Sequence, residues 1–421
     1  MNSLLTKPVL SSNFMALAII IIIQLAALYF IKPLTYDSHE YLAISKSIYT
    51  KGKYSVINPK FEDFNNFLGE NPTRMRQPVY PLFLASTYCL SGGSTFLVLA
   101  VQLLLNLITF ILILKTAQLI LRQKLYWYSK FIIALYFPFW ILSSYLLVET
   151  IFSFFLISAI YFFSKGIVQG KTKLFLISGI VLGIAFLTKP LAIFVLFTLI
   201  IPLLFNYNRS NAFKTWLLIC IAFTVVISPW FIRNAVSLGD FTPFSSSGGY
   251  NFWCASLGIH KKPWIDNKEF RELLGNDYYI DRKSEKVFIE EGEKNFLHAP
   301  ITMVKNGIIR IFDTWTYFPG SKNFEKNKYI FLLTTIIQII FLILAFLGLI
   351  TGRHKKLKTI LLMPATGFTL VMFFSYSISR FIIPAMPFVL LLSGQGIFYL
   401  KKYSLKKIIK GKDLSLNKAS F

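Results

Sequence analysis

The chain has 421 residues, of which 55% are hydrophobic, 17% are aromatic and only 15% are charged. Soluble proteins carry about 25% charged residues, so the composition excludes an ordinary set of soluble domains. The 44 Lys and Arg residues outnumber the 19 Asp and Glu residues, which leaves a net charge of +25. In a soluble protein that excess would suggest nucleic acid binding, but in so apolar a chain it is expected to set membrane orientation. Three cysteines have neither the number of a disulfide framework nor the spacing of metal ligands: Cys89, Cys220 and Cys254.

Ten apolar stretches approach the roughly 17 to 25 residues that a helix needs to cross a bilayer. They lie at 14–31, 95–114, 131–148, 150–164, 174–188, 191–205, 216–232, 329–350, 359–378 and 381–400. The stretch 79–92 is apolar but too short to cross, and Pro78 and Pro81 stand at its start, so it is predicted to be a helix at the outer interface. The sequence therefore predicts an all-α polytopic membrane protein with about ten transmembrane helices.

The distribution of basic residues predicts the orientation of the chain. If the N-terminus is cytoplasmic, the cytoplasmic segments carry 21 of the 44 basic residues and one of the 19 acidic residues. The net charge is then +20 on the cytoplasmic side and +5 on the outer side. Because basic residues are enriched in cytoplasmic loops, we expect both termini to be cytoplasmic.

This topology divides the chain into four parts. Residues 1–232 are predicted to form a transmembrane core whose first outer loop is 32–94. Residues 233–328 form an extracytoplasmic segment, whose mixed charges and many aromatic residues favour a small folded domain. Residues 329–400 supply the C-terminal transmembrane helices, and 401–421 form a basic cytoplasmic tail.

Charged residues stand beside the spans at their predicted outer ends. An ionisable group at membrane depth is costly, so each of them calls for a reason. The set comprises Asp37, Glu40, Arg74, Arg76, Glu149, Lys189, Arg233 and Arg380. Acids and bases gathered at one membrane surface are what a reaction on a lipid phosphate would require.

Several of these residues also have a structural interpretation. Asp37 and Glu40 have the spacing of a capping box, in which Asp37 caps a helix and Glu40 at the third helical position reaches back. Lys189, Arg233 and Arg380 could each extend to lipid headgroups instead. Both kinds of role are compatible with the sequence.

The remaining candidate residues are one acid, two histidines and four aromatic residues. Glu149 is hard to explain structurally, because the outer loop around it is almost absent. His260 and His298 have no suitably spaced partners, so no metal site is predicted. Four aromatic residues could stack on a sugar, although we favour a role as core or interfacial anchors: Trp253, Trp264, Trp315 and Tyr317.

Five sets of motifs follow one another along the chain: Tyr36-Asp37-Ser38-His39-Glu40-Tyr41-Leu42-Ala43 with Gly52-Lys53-Tyr54, Arg76-Gln77-Pro78-Val79-Tyr80-Pro81-Leu82, Leu187-Thr188-Lys189-Pro190, Ser228-Pro229-Trp230-Phe231-Ile232-Arg233-Asn234 with Gly239 and Gly248-Gly249-Tyr250-Asn251, and Arg380-Phe381-Ile382-Ile383-Pro384 with Pro387. In this order they resemble segments of the GT-C glycosyltransferases, which include the protein O-mannosyltransferases and the lipid A aminoarabinose transferases. The resemblance extends from residue 36 to residue 387.

The resemblance implies a glycosyltransferase of the GT-C fold in a bacterial inner or plasma membrane. It would move a sugar from a polyprenyl-phosphate carrier to an acceptor on the outer face, in a single displacement that inverts the anomeric centre. The acceptor is open between a protein, lipid A and another glycan. No nucleic acid partner is implied.

The resemblance also implies roles for individual residues. A general base must take a proton from the attacking hydroxyl, and cations must stabilise charge on the leaving phosphate. Asp37 is the implied base, and Glu149 is the second catalytic candidate. The donor phosphate contacts are assigned to Arg76, Lys189, Arg233 and Arg380. Acceptor binding or helix capping is assigned to Glu40 and Tyr41.

The chain departs from the family pattern in its first outer loop. Many mannosyltransferases carry adjacent Asp and Glu residues there, whereas here Asp37 is followed by Ser38 and the next acid is Glu40. Only Asp37 therefore inherits the acidic role. Some GT-C branches use a divalent ion, but Asp37 lacks an Asp-x-Asp partner and no metal is predicted. The alternative functions are a transporter or flippase of lipid-linked saccharide, and an envelope polysaccharide ligase or polymerase.

Overall fold

The computed structural model describes residues 9–55, 72–122, 125–239, 241–258, 273, 282–317, 328–351, 354–376 and 378–416. Within these ranges the regular elements are helices, and an isolated β-bridge joins Ser55 to Pro72. The predictions for His260 and Trp264 fall outside the described residues.

We number the described α-helices in chain order. The first eleven are α1 (Val9–Phe30), α2 (Tyr36–Lys51), α3 (Val79–Ser91), α4 (Thr95–Leu121), α5 (Trp127–Leu135), α6 (Phe137–Trp140), α7 (Glu149–Gln169), α8 (Thr172–Thr188), α9 (Ala192–Thr198), α10 (Ile200–Asn206) and α11 (Arg209–Leu238). The remaining six are α12 (Ser247–Leu257), α13 (Arg282–His298), α14 (Pro300–Thr316), α15 (Lys328–Ile350), α16 (Lys355–Phe374) and α17 (Met386–Leu416). Two 3₁₀ segments, Ile141–Ser144 and Ser379–Ala385, precede α7 and α17 respectively.

Seven helical segments of the described chain are long and apolar enough to cross a membrane: Ser12–Phe30, Thr95–Leu121, Glu149–Gln169, Arg209–Leu238, Lys328–Ile350, Lys355–Phe374 and Ser379–Tyr403. The prediction of an all-α membrane protein is confirmed. The predicted count of ten spans is not, because the other three stretches form shorter or interrupted helices. The 17-residue α8 covers one of them, and the helix over 191–205 is divided at Leu199 into α9 and α10.

The predicted span 131–148 is the clearest departure. It divides into α5, α6 and a 3₁₀ turn, and the break falls at Tyr136, two residues before Pro138. Proline has no N–H to donate and restricts the residue before it, so a continuous helix is interrupted there. The segment nevertheless runs beside the whole of α1: the Lys130 ammonium donates to Ser12 Oγ at one end, and Leu146 N donates to Pro33 O at the other.

Side chains of α4 satisfy the backbone carbonyls that this break exposes. Gln102 Nε2 donates to Ser143 O at 2.9 Å and to Tyr145 O at 2.8 Å, and Asn106 Nδ2 donates to Trp140 O at 3.2 Å. Unsatisfied carbonyls are costly inside a membrane, and non-helical backbone is tolerated there only where protein covers it. The buried amides of α4 therefore explain how an interrupted segment fits among the spans.

The loop before α3 is clamped by residues that lie far along the chain. Ser246 N donates to Arg74 O at 3.1 Å, and Gln77 Nε2 donates to Pro243 O at 2.9 Å. The guanidinium of Arg74 forms an ion pair with Glu285 of α13, and both side chains are largely buried. The two predicted outer segments thus pack against each other.

We expect the Arg74–Glu285 pair to contribute to stability. Arg74→Gln or Glu285→Gln alone should lower the free energy of unfolding by about 3–5 kcal/mol, because each removes the opposite charge from a buried site. The double substitution should cost clearly less than the sum of the two. Thermal unfolding of the four proteins in one detergent measures this coupling, and additive losses would show that the pair is not coupled.

Candidate active site

The N-terminus of α2 carries the predicted catalytic acid, but its cap differs from the prediction. Thr35, not Asp37, is the N-cap, and Thr35 N donates to Ser38 Oγ at 2.9 Å. The predicted capping box of Asp37 and Glu40 is therefore wrong, because the helix begins one residue before Asp37 and Ser38 occupies the third helical position. Both carboxylates are directed to other partners instead.

Asp37 lies between two arginines that are far apart in the sequence. Arg76 Nη2 donates to Asp37 Oδ1 at 3.0 Å, and Arg380 Nη2 donates to Asp37 Oδ2 at 2.7 Å. The exposed fractions of these side chains are 23% for Asp37, 20% for Arg76 and 28% for Arg380, so the group is open to a ligand. Cations this close to a carboxylate favour its ionised form.

Glu40 and Tyr41 surround the same arginine. Glu40 forms an ion pair with the Arg76 guanidinium, whose carbon lies 5.0 Å from the centre of the Tyr41 ring. Burial would lower the pKa of Arg76, but Glu40, Tyr41 and Asp37 outweigh it and hold that pKa well above the ordinary value. Burial, aided by the nearby carboxylates and opposed by Arg76, raises the pKa of Tyr41. The Tyr41 side chain is therefore a neutral phenol that packs against the protonated guanidinium of Arg76.

Glu149 forms the buried side of the cluster. It begins α7 and its side chain is only 1% exposed. Lys189 Nζ donates to Glu149 Oε1 at 3.3 Å, and Arg380 Nε lies 3.3 Å from the same oxygen. Lys189 follows α8, and its ammonium also lies 4.6 Å from the centre of the Phe381 ring. Arg380 thus bridges the accessible acid Asp37 to the buried acid Glu149.

The structure brings seven of the eight predicted site residues into one group, which we call the Asp37 cluster: Asp37, Glu40, Tyr41, Arg76, Glu149, Lys189 and Arg380. Its three carboxylates and three cations balance in formal charge. Such a site can bind an anionic ligand if the ligand replaces a carboxylate as the partner of the cations. Among the described residues there is no group of three or more His, Cys, Asp or Glu side chains that could hold a metal ion.

Arg233 lies outside the Asp37 cluster. Its guanidinium donates to Thr73 O at 2.7 Å and to Tyr54 O at 2.8 Å, and it stacks on the rings of Tyr54 and Trp230. Tyr54 in turn donates its hydroxyl proton to Arg76 O at 2.9 Å. Arg233 therefore supports the loop that positions Arg76, and the phosphate contact assigned to it stays a prediction.

Substitution of Arg233 separates the two roles. Because Arg233→Gln loses charge-assisted hydrogen bonds to two carbonyls, we expect a loss of about 2–3 kcal/mol in the free energy of unfolding. Donor affinity of the folded protein should change much less. Thermal unfolding and polyprenyl-phosphate titration measure the two effects, and abolished binding at unchanged stability would instead establish a phosphate contact.

Some side chains lie as the sequence predicts, and one buried contact has no signature in the sequence. Trp253 is buried against Tyr250 and Phe288, and Trp315 Nε1 donates to Thr369 Oγ1 at 2.9 Å, as expected of anchoring aromatic residues. The Arg74–Glu285 pair was not predicted, since no local pattern relates residues 211 positions apart.

Comparison with known proteins supports the interpretation of the motifs. The sequence model of the dolichyl-phosphate-mannose-protein mannosyltransferase family matches residues 72–232, a range that contains Arg76, Glu149 and Lys189. A comparison with functionally characterised proteins finds no significant match.

Two solved oligosaccharyltransferase structures show the fold. The archaeal oligosaccharyltransferase AglB from Archaeoglobus fulgidus, in complex with an inhibitory peptide and a dolichol-phosphate, aligns with a TM-score of 0.53 and 11% identity over 96% of this chain and 52% of that one. The Archaeoglobus fulgidus oligosaccharyltransferase in complex with Zn and sulfate aligns with a TM-score of 0.50 and 10% identity over 96% and 51%. ArnT from Cupriavidus metallidurans, bound to undecaprenyl phosphate, aligns with a TM-score of 0.40 and 14% identity over 91% and 77%.

The described helices and the oligosaccharyltransferase alignments define an integral membrane protein with the GT-C fold. The resemblance to GT-C glycosyltransferases predicted from the motifs is confirmed by the mannosyltransferase family match and this fold. The chain spans about half the length of the oligosaccharyltransferases that it matches.

Proposed function

We propose that the protein is a glycosyltransferase that moves a sugar from a polyprenyl-phosphate carrier to an acceptor at the membrane surface. The observation that carries this proposal is the Asp37 cluster, in which an accessible carboxylate lies between two arginines at one end of the spans. The family match names a dolichyl-phosphate-linked mannose donor, and the AglB structure contains a dolichol-phosphate. A lipid-linked donor is consistent with both.

In the proposed reaction the carrier phosphate binds to the accessible cations. Arg76 and Arg380 would exchange Asp37 for phosphate oxygens, while Lys189 lies behind them as a third cation. These contacts strengthen as the bond between the anomeric carbon and the phosphate oxygen breaks and negative charge develops on the phosphate. The carrier leaves as a polyprenyl phosphate.

Asp37 acts as the general base in this proposal. The acceptor hydroxyl attacks the anomeric carbon as its proton passes to Asp37, so the configuration inverts in one displacement. Asp37 fits this role better than Glu149, whose side chain is only 1% exposed behind Arg380 and Lys189. Glu149 instead positions those two cations. Glu40 and Tyr41 hold Arg76 from the other side and line the approach of the acceptor.

The proposed orientation places the Asp37 cluster on the extracytoplasmic face, with both termini cytoplasmic. The excess of basic residues in the other loops supports this. A bacterial inner or plasma membrane is the proposed location, and the acceptor is a protein, a lipid or a glycan of the envelope. Residues 233–328 supply an extracytoplasmic segment and 401–421 a basic tail.

Reconstitution tests the proposal. Purified protein in liposomes that contain a radiolabelled polyprenyl-phosphate sugar should transfer the label to envelope acceptors and release polyprenyl phosphate. Boiled protein and the Asp37→Asn variant are the controls. Movement of the labelled lipid between leaflets without sugar transfer would overturn the proposal and indicate a flippase. A requirement for a diphosphate-linked donor would indicate a ligase or polymerase.

A further inference from the structure

Helix α14 (Pro300–Thr316), in the second predicted outer segment, has three chemically distinct faces. One face is buried in the protein and carries Gly307, Arg310 and Thr314. Arg310 on this face is 1% exposed, and it donates to Ala255 O at 2.8 Å and to Phe373 O at 3.1 Å. These contacts fasten α14 to the ends of α12 and α16.

A second face of α14 is apolar and uncovered within the described chain. Its side chains recur at intervals of three and four residues, which places them on one stripe of a helix. Their exposed fractions are high for such large apolar groups: Ile301 84%, Val304 42%, Ile308 47% and Phe312 64%. Lys305 stands beside this stripe, where a lysine can extend its ammonium to lipid headgroups.

A third face of α14 is mainly polar. At 100° per residue, the sector between the stripe and the buried face contains Ile309 and four polar residues: Thr302, Asn306, Asp313 and Thr316. A helix with buried, apolar and polar faces is suited to a place where protein, acyl chains and water meet.

The C-terminal end of α14 shows at what depth it lies. Trp315 Nε1 donates to Thr369 Oγ1 of α16 at 2.9 Å, and Gln338 Nε2 of α15 donates to Trp315 O at 3.2 Å. Gln338 is ten residues from the start of α15 at Lys328, which corresponds to about 15 Å at a rise of 1.5 Å per residue. Thr369 is five residues from the end of α16 at Phe374, so the end of α14 packs below the tips of both candidate spans.

We propose that α14 is embedded in the leaflet on the Asp37 side of the membrane, with the stripe of Ile301, Val304, Ile308 and Phe312 against acyl chains. The stripe is continuous with the lipid-facing surface, because α14 contacts α15, the candidate span of which only 11% is buried. Exposed apolar patches of this kind are rare on surfaces that face water. The proposal does not depend on the proposed reaction, and it moves part of residues 233–328 from the aqueous phase into the membrane.

Site-directed labelling in lipid nanodiscs tests this placement. Single cysteines are introduced as Ile308→Cys, Phe312→Cys and Thr302→Cys in a protein carrying Cys89→Ser, Cys220→Ser and Cys254→Ala, and each is labelled with bimane. Brominated phospholipid quenches probes among acyl chains, and iodide quenches probes in water. Val225→Cys on the exposed surface of α11 is the lipid reference, and Lys294→Cys on exposed α13 is the aqueous reference.

Labels at Ile308 and Phe312 should be quenched by brominated lipid about as strongly as the label at Val225, and the label at Thr302 should be quenched by iodide. Quenching of the stripe by iodide would overturn the proposal and place α14 in water. Quenching by neither agent would overturn it in favour of a protein surface, such as a second copy of the chain, covering the stripe. If Ile308→Cys or Phe312→Cys does not elute as a single species in size-exclusion chromatography, Val304→Cys is used in its place.

Discussion

Replacement of Asp37 by Asn should reduce sugar transfer by about 10²- to 10⁴-fold, the range typical for removal of a general base. Asn preserves the shape of the side chain and can still accept a hydrogen bond from Arg76 or Arg380, but it cannot take a proton from an acceptor. The loss should therefore appear in kcat, while donor binding is retained or strengthened, because Asn competes less than Asp for the two arginines that the phosphate would contact. Transfer of labelled sugar from the carrier lipid measures the first quantity, and titration with polyprenyl phosphate measures the second.

A matched control removes a carboxylate that lies outside the Asp37 cluster, in the predicted outer segment 233–328. Glu293 on α13 is exposed, and Glu293→Gln should leave transfer at the wild-type rate. If Asp37→Asn retained wild-type transfer, Asp37 would not be the base. If the variant lost donor binding together with transfer, Asp37 would serve to position Arg76 and Arg380 instead.

Replacement of Arg380 by Gln should have the second large effect. Arg380 contacts both Asp37 and Glu149, so its loss removes a proposed phosphate contact and also a cation from between two acids. Truncation of one partner in a buried charge pair costs about 2–5 kcal/mol, which corresponds to roughly 30- to 5,000-fold in affinity. We expect donor binding to weaken by this amount, as measured by titration with polyprenyl phosphate in detergent micelles.

Arg209 provides the control for Arg380. It is exposed at the start of α11, the end of that helix opposite Arg233, so Arg209→Gln should bind the donor like the wild type. Undiminished donor binding by Arg380→Gln would show that Arg380 only pairs with Asp37 and Glu149 and does not contact the donor phosphate. Restored binding in Arg380→Lys would indicate that charge at this position suffices without the paired geometry of a guanidinium.

Several features of the Asp37 cluster were accessible from local patterns. The motifs around Asp37, Arg76, Lys189 and Arg380 pointed to these residues because charges are rare beside apolar spans. The length of the apolar stretches likewise predicted most of the membrane-crossing helices. The pattern was misleading at the start of α2, where the spacing of Asp37 and Glu40 imitated a capping box that Thr35 and Ser38 form instead.

The count of continuous spans was beyond such patterns. Hydropathy alone does not reveal that 131–148 is interrupted. The break is tolerated because Gln102 and Asn106 of another helix donate hydrogen bonds to the carbonyls that it exposes. Hydropathy also assigned the whole of 233–328 to the outside. The contacts of Trp315 with α15 and α16 are the observations that place the end of α14 among the spans.

The membrane class, the predicted orientation and the chemical types of the site residues follow from composition and motif, because each is a property of short stretches of chain. The selection among those residues follows from tertiary contacts. Asp37 and Arg380 are 343 positions apart, and only the packing of the helices shows that they pair. Packing likewise buries Glu149 and leaves Asp37 accessible, and it directs Arg233 to backbone carbonyls. A side chain's partners depend on what the fold brings within a few ångströms, and sequence spacing does not record that distance.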